Sequence, residues 1–182
     1  MNKQVSVSAA RDARRLYRSK NAGILSTISL ELPGYPFGSL TPYAPDAEGR
    51  PILLVSEIAE HSHNMAADPK VSLTINQSDS DEAQAQGRIT IVGDALRIEG
   101  REAEAADRYF HYFPYARSYL KAHGFHFVRI DPVRIRYIGG FGKIFWIEAS
   151  DFLQANPFRA NARNGILEHM NADHVDALRH YV

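Results

Sequence analysis

The chain has no cysteine among its 182 residues. Disulfides, thiolate metal ligands and cysteine nucleophiles are therefore excluded, which suits a reducing compartment and sets the expectation of a cytoplasmic protein. Charge of one sign is not in excess, since 21 Lys and Arg face 21 Asp and Glu. That balance gives no field to gather nucleic acid or an anionic membrane surface. No apolar run approaches the about 20 residues that span a bilayer. The opening MNKQVSVSAARDARRLYRSK lacks the apolar core of a secretory signal. Also missing are the Gly-x-Ser-x-Gly elbow, the P-loop and the dinucleotide fingerprint. The Gly139-Gly140-Phe141-Gly142 run is a turn with no helix after it. The expectation is a soluble globular chain with no nucleic-acid or membrane partner.

What is present is a regular series of short apolar runs. Strands are predicted at 24–30, 37–43 and 52–56, followed by a helix at 58–67 that stops at Asp68-Pro69, then a strand at 71–75. The polar stretch 78–87 reads as a mobile loop. Residues 88–99 form a long predicted strand in which Gly93 marks a bulge or a bend. A helix at 101–113 is broken by Pro114, and a second short helix runs over 115–123. Strands at 125–130 and 133–138 flank Asp131-Pro132, and a last strand at 141–149 holds the single Trp146. At the N-terminus, Ser8 caps a predicted helix to Lys20 with Ala9, Ala13, Leu16 and Tyr17 on one face. The reading is mainly β, α+β in class: six or seven antiparallel strands closing a small barrel, with peripheral helices. Residues 1–149 form the barrel domain. Residues 150–182 form a linker (150–164) and a C-terminal helix (165–182), and no stop signal follows that helix.

With no thiolates, histidines are the candidate metal ligands. On the C-terminal helix Met170, His174, Leu178 and Tyr181 share a stripe, which turns His174 toward the core. His169, Asp173, Asp176 and His180 share a different, polar face. His169 and His174 point about 140° apart, from the advance of about 100° per residue, and do not grip one metal together. HMNADH is not the HExxH zinc signature. One reading of the polar face is a solvated surface with His–Asp pairs. The other makes His169 a single axial ligand to an iron porphyrin, which brings four nitrogens of its own. A second candidate site is an anion pocket of Ser26, Thr27, Ser39, Thr41, Ser56, His61, Ser62 and Asn64 near a helix start; ordinary strand and cap chemistry is its plain alternative. Arg88, Arg129, Arg134 and Arg136 could each hold a phosphate or a propionate. The Tyr-rich segment 109–119 reads as core.

Three segments carry a resemblance: PGYPFGSLTPYAPDAEGRPILLVSEIAEHSHNMAADPKVSLTI, RIDPVRIRYIGGFGKIFWI and ILEHMNADHVDAL. Together they resemble the FMN-binding split-barrel superfamily of the pyridoxamine-phosphate oxidases. Within it they are most similar to the bacterial haem-utilisation, haem-degrading proteins. The resemblance implies an antiparallel split β-barrel and a homodimer with ligand sites at the subunit interface. It implies haem as ligand or substrate, with His169 as axial ligand to the iron and Asp131, from the other subunit, as the carboxylate that orients it. Arg88 and Thr27 would lie on the distal or propionate side. In the FMN branch the phosphate would fall near Ser56, His61 and Ser62. The run Glu60-His61-Ser62-His63 supplies no permanent cation there, which favours haem.

Three functions follow as expectations. The first is an enzyme of iron acquisition that opens haem oxidatively, using O₂ and an external electron donor, with catalytic roles for Arg88 and Asp131. The second is an FMN-dependent oxidoreductase. The third is a haem carrier without catalysis.

Overall fold

The computed structural model describes residues 3–77, 86–100, 102–121, 124–140, 142–155 and 160–176. Most of the predicted 78–87 loop, together with His123, Leu178, His180 and Tyr181, lies outside them. The described elements are α1 (Lys3–Arg18), β1 (Ala22–Ile28), β2 (Pro36–Pro42), β3 (Ala44–Pro45), β4 (Pro51–Ser56), α2 (Glu60–Ala67), β5 (Lys70–Asn76) and β6 (Gly87–Arg97). They continue with α3 (Glu102–Tyr112), a 3₁₀ segment (Pro114–Lys121), β7 (Phe125–Gly139), β8 (Ile144–Glu148), α4 (Ala149–Phe152) and α5 (Ala160–Asp173).

All strands join one antiparallel sheet in the order β2-β1-β5-β6-β7-β4-β3, with β8 also on β7. The expected antiparallel barrel architecture is present. One feature departs from expectation: residues 125–130 and 133–138 are a single strand, β7. Pro132 does not break it, because of where the proline falls. One edge of β7 pairs with β4 through residues 125–129 and with β8 through residues 134–138, leaving 130–133 unpaired on that edge. A missing N–H costs no ladder bond there. On the other edge Pro132 faces Gly93, where the β6 register shifts. The predicted Gly93 bulge is thus present, and a Cβ at Gly93 would collide with the Asp131 carbonyl oxygen.

The strand β4 explains the two-layered packing. Its alternate residues Leu53 and Val55 face the barrel interior with Leu25, Leu73, Ile89, Ile91, Ile130 and Ile135. Ile52 and Leu54 face the other way, against Tyr109, Phe110, Phe113 and Phe127 under α3. Both faces are covered, so the run is apolar throughout. The Tyr-rich segment is core in part, as expected, although Tyr112, Tyr115 and Tyr119 are exposed.

The helix α1 buries Ala9, Ala13, Leu16 and Tyr17, the face that periodicity predicts, and Ala10 beside them. It starts at Lys3 rather than at Ser8, since no Gly or Pro between them stops it. The Tyr43 hydroxyl donates to the Tyr17 carbonyl at 2.6 Å, and the two rings stack at 5.0 Å. The predicted linker is not irregular at its start. Residues 149–152 are helical, and Phe152 is buried edge-on against Tyr17. Arg14 Nη1 donates to the Asp151 carbonyl at 2.6 Å, closing this corner. Among the described residues no helix is long and apolar enough to cross a membrane.

Candidate functional site

The start of α2 gathers Thr27, Ser56, His61 and Ser62 into one region. Ser62 Oγ donates to the Ser56 carbonyl at 2.6 Å. His61 Nδ1 lies 3.2 Å from Ser39 Oγ, and desolvation pushes its imidazole pKa down. Asn64 Nδ2 donates to Thr27 Oγ1 at 3.0 Å, while Asn64 Oδ1 accepts from the Leu30 N–H at 2.9 Å. Thr27 is 1% exposed. These polar groups tie α2 to β1, β2 and β4. The cap residue Ala59 offers no side-chain hydrogen bond, and no Lys or Arg occurs at positions 56–64.

Asp131 sits in a charge cluster on β7. Arg129 donates to it through Nε at 2.6 Å and through Nη2 at 2.8 Å. That bidentate bond is the main cause of a raised Arg129 pKa. Arg50 Nη1 lies 4.0 Å from the same carboxylate, while its Nε pairs with Asp46 at 2.7 Å and its Nη2 with Glu48 at 3.0 Å. Asp46 Oδ1 in turn accepts the N–H groups of Glu48, Gly49 and Arg50. Arg108 reaches in from α3 to the Pro45 carbonyl at 2.9 Å. Sequence reasoning missed Asp46, Arg50 and Arg108. The turn spacing of Asp46, Gly49 and Arg50 was a usable signal, and so was the period-two spacing of Arg129 and Asp131. For Arg108 there was none.

Arg88 is far from this cluster within one chain. It pairs in register with Asn76 and Ile138, whereas Asp131 pairs with Asp94. Six residues of strand separate Arg88 from Asp94, roughly 20 Å. Arg88 is half-buried and has no polar partner among the described residues.

His169 lies on α5, and every described residue from Gly165 to Asp176, on α5 and just beyond it, is exposed except the half-buried Met170. The expectation that His174 faces the core is therefore corrected. Its stripe partner Met170 meets no apolar layer among the described residues. Helical spacing does not set the angle between His169 and His174 either, because the helix ends at Asp173. The rings of His169 and His174 sit edge to face with centroids 5.0 Å apart. The expected His–Asp pair is present: His169 Nδ1 is 2.7 Å from Asp173 Oδ2, and the imidazole is 61% exposed. Among the described residues no three His, Asp or Glu side chains could share a metal.

A row of side chains crosses the outer sheet face from strand to strand. In register it runs Leu40, Ile24, Thr74, Thr90, Arg136, Trp146. The Thr74 and Thr90 hydroxyls are 3.1 Å apart, and Arg134 and Arg136 lie over the Trp146 ring at 5.3 and 5.2 Å. Leu40 is 74% exposed, and Ile24 and Trp146 are also exposed.

A family model described as the CREG beta-barrel matches residues 5–154, from α1 through α4. The chain belongs to the CREG beta-barrel family. Among its relatives is HOZ, a chloroplastic non-canonical haem oxygenase of Arabidopsis thaliana, 32% identical over 182 residues. That match covers 96% of this chain and 55% of HOZ, so this CREG beta-barrel chain spans about half the length of that relative. A haem-binding protein of Mycobacterium smegmatis is 33% identical with a TM-score of 0.74, over 91% of this chain and 69% of that one. HutZ, a haem-storage protein of Vibrio cholerae, shares the fold at 21% identity and a TM-score of 0.58, over 67% of this chain and 88% of that one.

Proposed function

We propose that this protein binds haem in the service of iron acquisition, with His169 as axial ligand, and that it opens the bound ring oxidatively. The observation that carries this reading is the His169–Asp173 pair. A carboxylate on Nδ1 selects the tautomer with its proton there and leaves the Nε2 lone pair free to coordinate. One such imidazole suffices for a porphyrin, so the donor set fits haem without a wider cluster. The kinship with HOZ and the mycobacterial haem-binding protein supports the same ligand.

Bound haem supplies the redox chemistry through its iron and ring, with O₂ and an external electron donor. The chain's residues bind and orient. His169 holds the iron and Asp173 holds His169. Arg88 offers a guanidinium from the sheet face to a propionate. Thr27, Ser56, His61 and Ser62 fix α2 behind the site. Asp131 is offered to the ligand of a partner subunit, its own charge balanced by Arg129.

A homodimer belongs to this proposal. The row from Leu40 to Trp146 is an uncovered apolar and cationic strip on a sheet face, and a second copy related by a two-fold axis would cover it. Residues 150–182 then act as the segment that carries the iron ligand to a barrel. Placement in the cytoplasm rests on the lack of cysteine. The FMN reading has less support, because the hydroxyls at the start of α2 are already bonded and no cation accompanies them.

The test is a haemin titration with a variant at His169, followed by ascorbate and O₂. Bleaching of the Soret band with iron release supports the enzyme, and a stable complex supports a carrier. Near-stoichiometric FMN released on denaturation would overturn the preference for haem.

A further inference from the structure

The chain is neutral as a whole, but its first helix is not. Residues 3–20 hold Lys3, Arg11, Arg14, Arg15, Arg18 and Lys20 against a single acid, Asp12. The apolar face of α1 is buried on the barrel through Ala9, Ala13, Leu16 and Tyr17. The four arginines stand at steps of three and four, so they form one ridge about 10 Å long on the other face. Arg11, Arg15 and Arg18 are exposed, and Arg14 is half-buried.

The ridge keeps its charge. Arg14 Nη1 donates to the carbonyls of Asp151 and Phe152, and Arg18 Nη2 donates to Gln154 Oε1 at 3.2 Å. Those acceptors are neutral, so they fix two guanidiniums without cancelling them. Arg11 has only the exposed Asp12, 3.9 Å away, and Arg15 has no polar partner among the described residues. Burial and then the Arg18 charge hold the Arg14 pKa down, with the Asp151 carboxylate opposing. None of these residues belongs to the proposed haem site. Yet residues 151–154, which Arg14 and Arg18 clamp, begin the segment that continues to α5 and His169.

Two kinds of anionic partner fit this ridge poorly. A lipid surface needs an apolar face turned the same way, and the ridge offers only Val7. Duplex nucleic acid, like lipid, is negative throughout, and Asp12 and Asp151 beside the ridge repel it. A protein surface can match both signs, and each planar guanidinium takes a carboxylate through two hydrogen bonds.

The proposed haem chemistry needs an electron donor from outside the chain. Resting on that reading, we propose that the arginine ridge of α1 is the docking surface for that donor, a small acidic one-electron carrier protein. The donor's reduced centre gives one electron to the ferric haem iron and is oxidised by one; no atom is transferred.

The experiment uses the full chain and, as probe, a plant-type [2Fe–2S] ferredoxin, an acidic one-electron protein. Calorimetry reads docking, and decay of the Soret band under O₂ with reduced ferredoxin reads electron delivery. Raising salt from about 0.02 to about 0.5 M should weaken docking at least about ten-fold. Arg11→Glu combined with Arg15→Glu, both exposed and outside the clamp, should weaken docking about ten-fold or more and slow ferredoxin-driven decay. Haemin affinity and ascorbate-driven decay should stay at the parent values, because a small reductant needs no docking surface. Lysine at the same two positions should keep most of the docking. Unchanged docking in the glutamate variant, or docking indifferent to salt, would overturn the proposal. So would equal slowing with ascorbate, which would mean a damaged haem site. So would phosphatidylglycerol vesicles or duplex DNA binding the ridge more tightly than ferredoxin does. If haem fails to decay even with ascorbate, the proposed function fails, while calorimetry still decides the docking surface.

Discussion

Asp173 Oδ2 lies 2.7 Å from His169 Nδ1, one helical turn further along α5. A carboxylate able to orient the proposed iron ligand is thus available on the same helix, in addition to the Asp131 that a partner subunit would offer. Asp131, by contrast, already accepts two hydrogen bonds from Arg129.

That contrast sets the first prediction. Asp173→Asn should weaken haemin binding by about 10–100-fold, because an amide is a poorer acceptor for the ring N–H. Asp131→Asn should leave affinity closer to the parent and alter turnover with ascorbate and O₂. Equilibrium titration by Soret absorbance measures both. Loss in Asp131→Asn with none in Asp173→Asn would return the orienting role to Asp131.

The second prediction concerns assembly. Leu40→Glu places a charge at the end of the apolar row on the outer sheet face, where burial in a dimer would desolvate it. Light scattering at micromolar concentration should give a dimer for the parent and a monomer for the variant. A monomeric parent would remove the shared interface from the account.

Much of this architecture was legible because alternation and turn residues dictate it. Gly93 signalled its bulge, and Ala9, Ala13, Leu16 and Tyr17 signalled the buried face of α1. Pro132 misled, since whether a proline breaks a strand depends on which edge lacks a partner, and that is a tertiary fact. Phe152 misled in the same way: nothing local shows that Tyr17, far away in sequence, waits for its ring. His174 was assigned to a core because its stripe is apolar, but periodicity reports a face and not whether anything covers it. At the site, the His169–Asp173 pair followed from helical spacing alone. The ring of ion pairs about Asp131 did not, because Arg50 reaches it from a distant segment.

Stability should follow these corrections. Phe152→Ala removes a fully buried ring and should cost about 3–5 kcal/mol. His174→Ala, on an exposed helix, should change stability by less than about 0.5 kcal/mol. Chemical denaturation measures both, and the reverse order would restore the reading of 150–164 as a loose linker from its start.

Acid should destabilise the fold through two histidines. His61 and His126 both have pKa values lowered below the ordinary 6.5 by desolvation. The unfolded chain takes up protons near pH 6.5 that the folded chain refuses, so stability is full above that value and declines as pH falls below it. His61→Gln and His126→Gln should each flatten the decline of melting temperature between neutral and mildly acidic pH. An unchanged slope in both variants would remove them as its cause.

The central claim is that His169 ligates iron, and the visible spectrum of the haemin complex tests it most directly. The parent chain should give a sharp Soret band with stoichiometric haemin, and His169→Ala should abolish or strongly shift it while the fold persists. An unchanged Soret band in His169→Ala, with loss of the band in another histidine variant, would contradict the assignment.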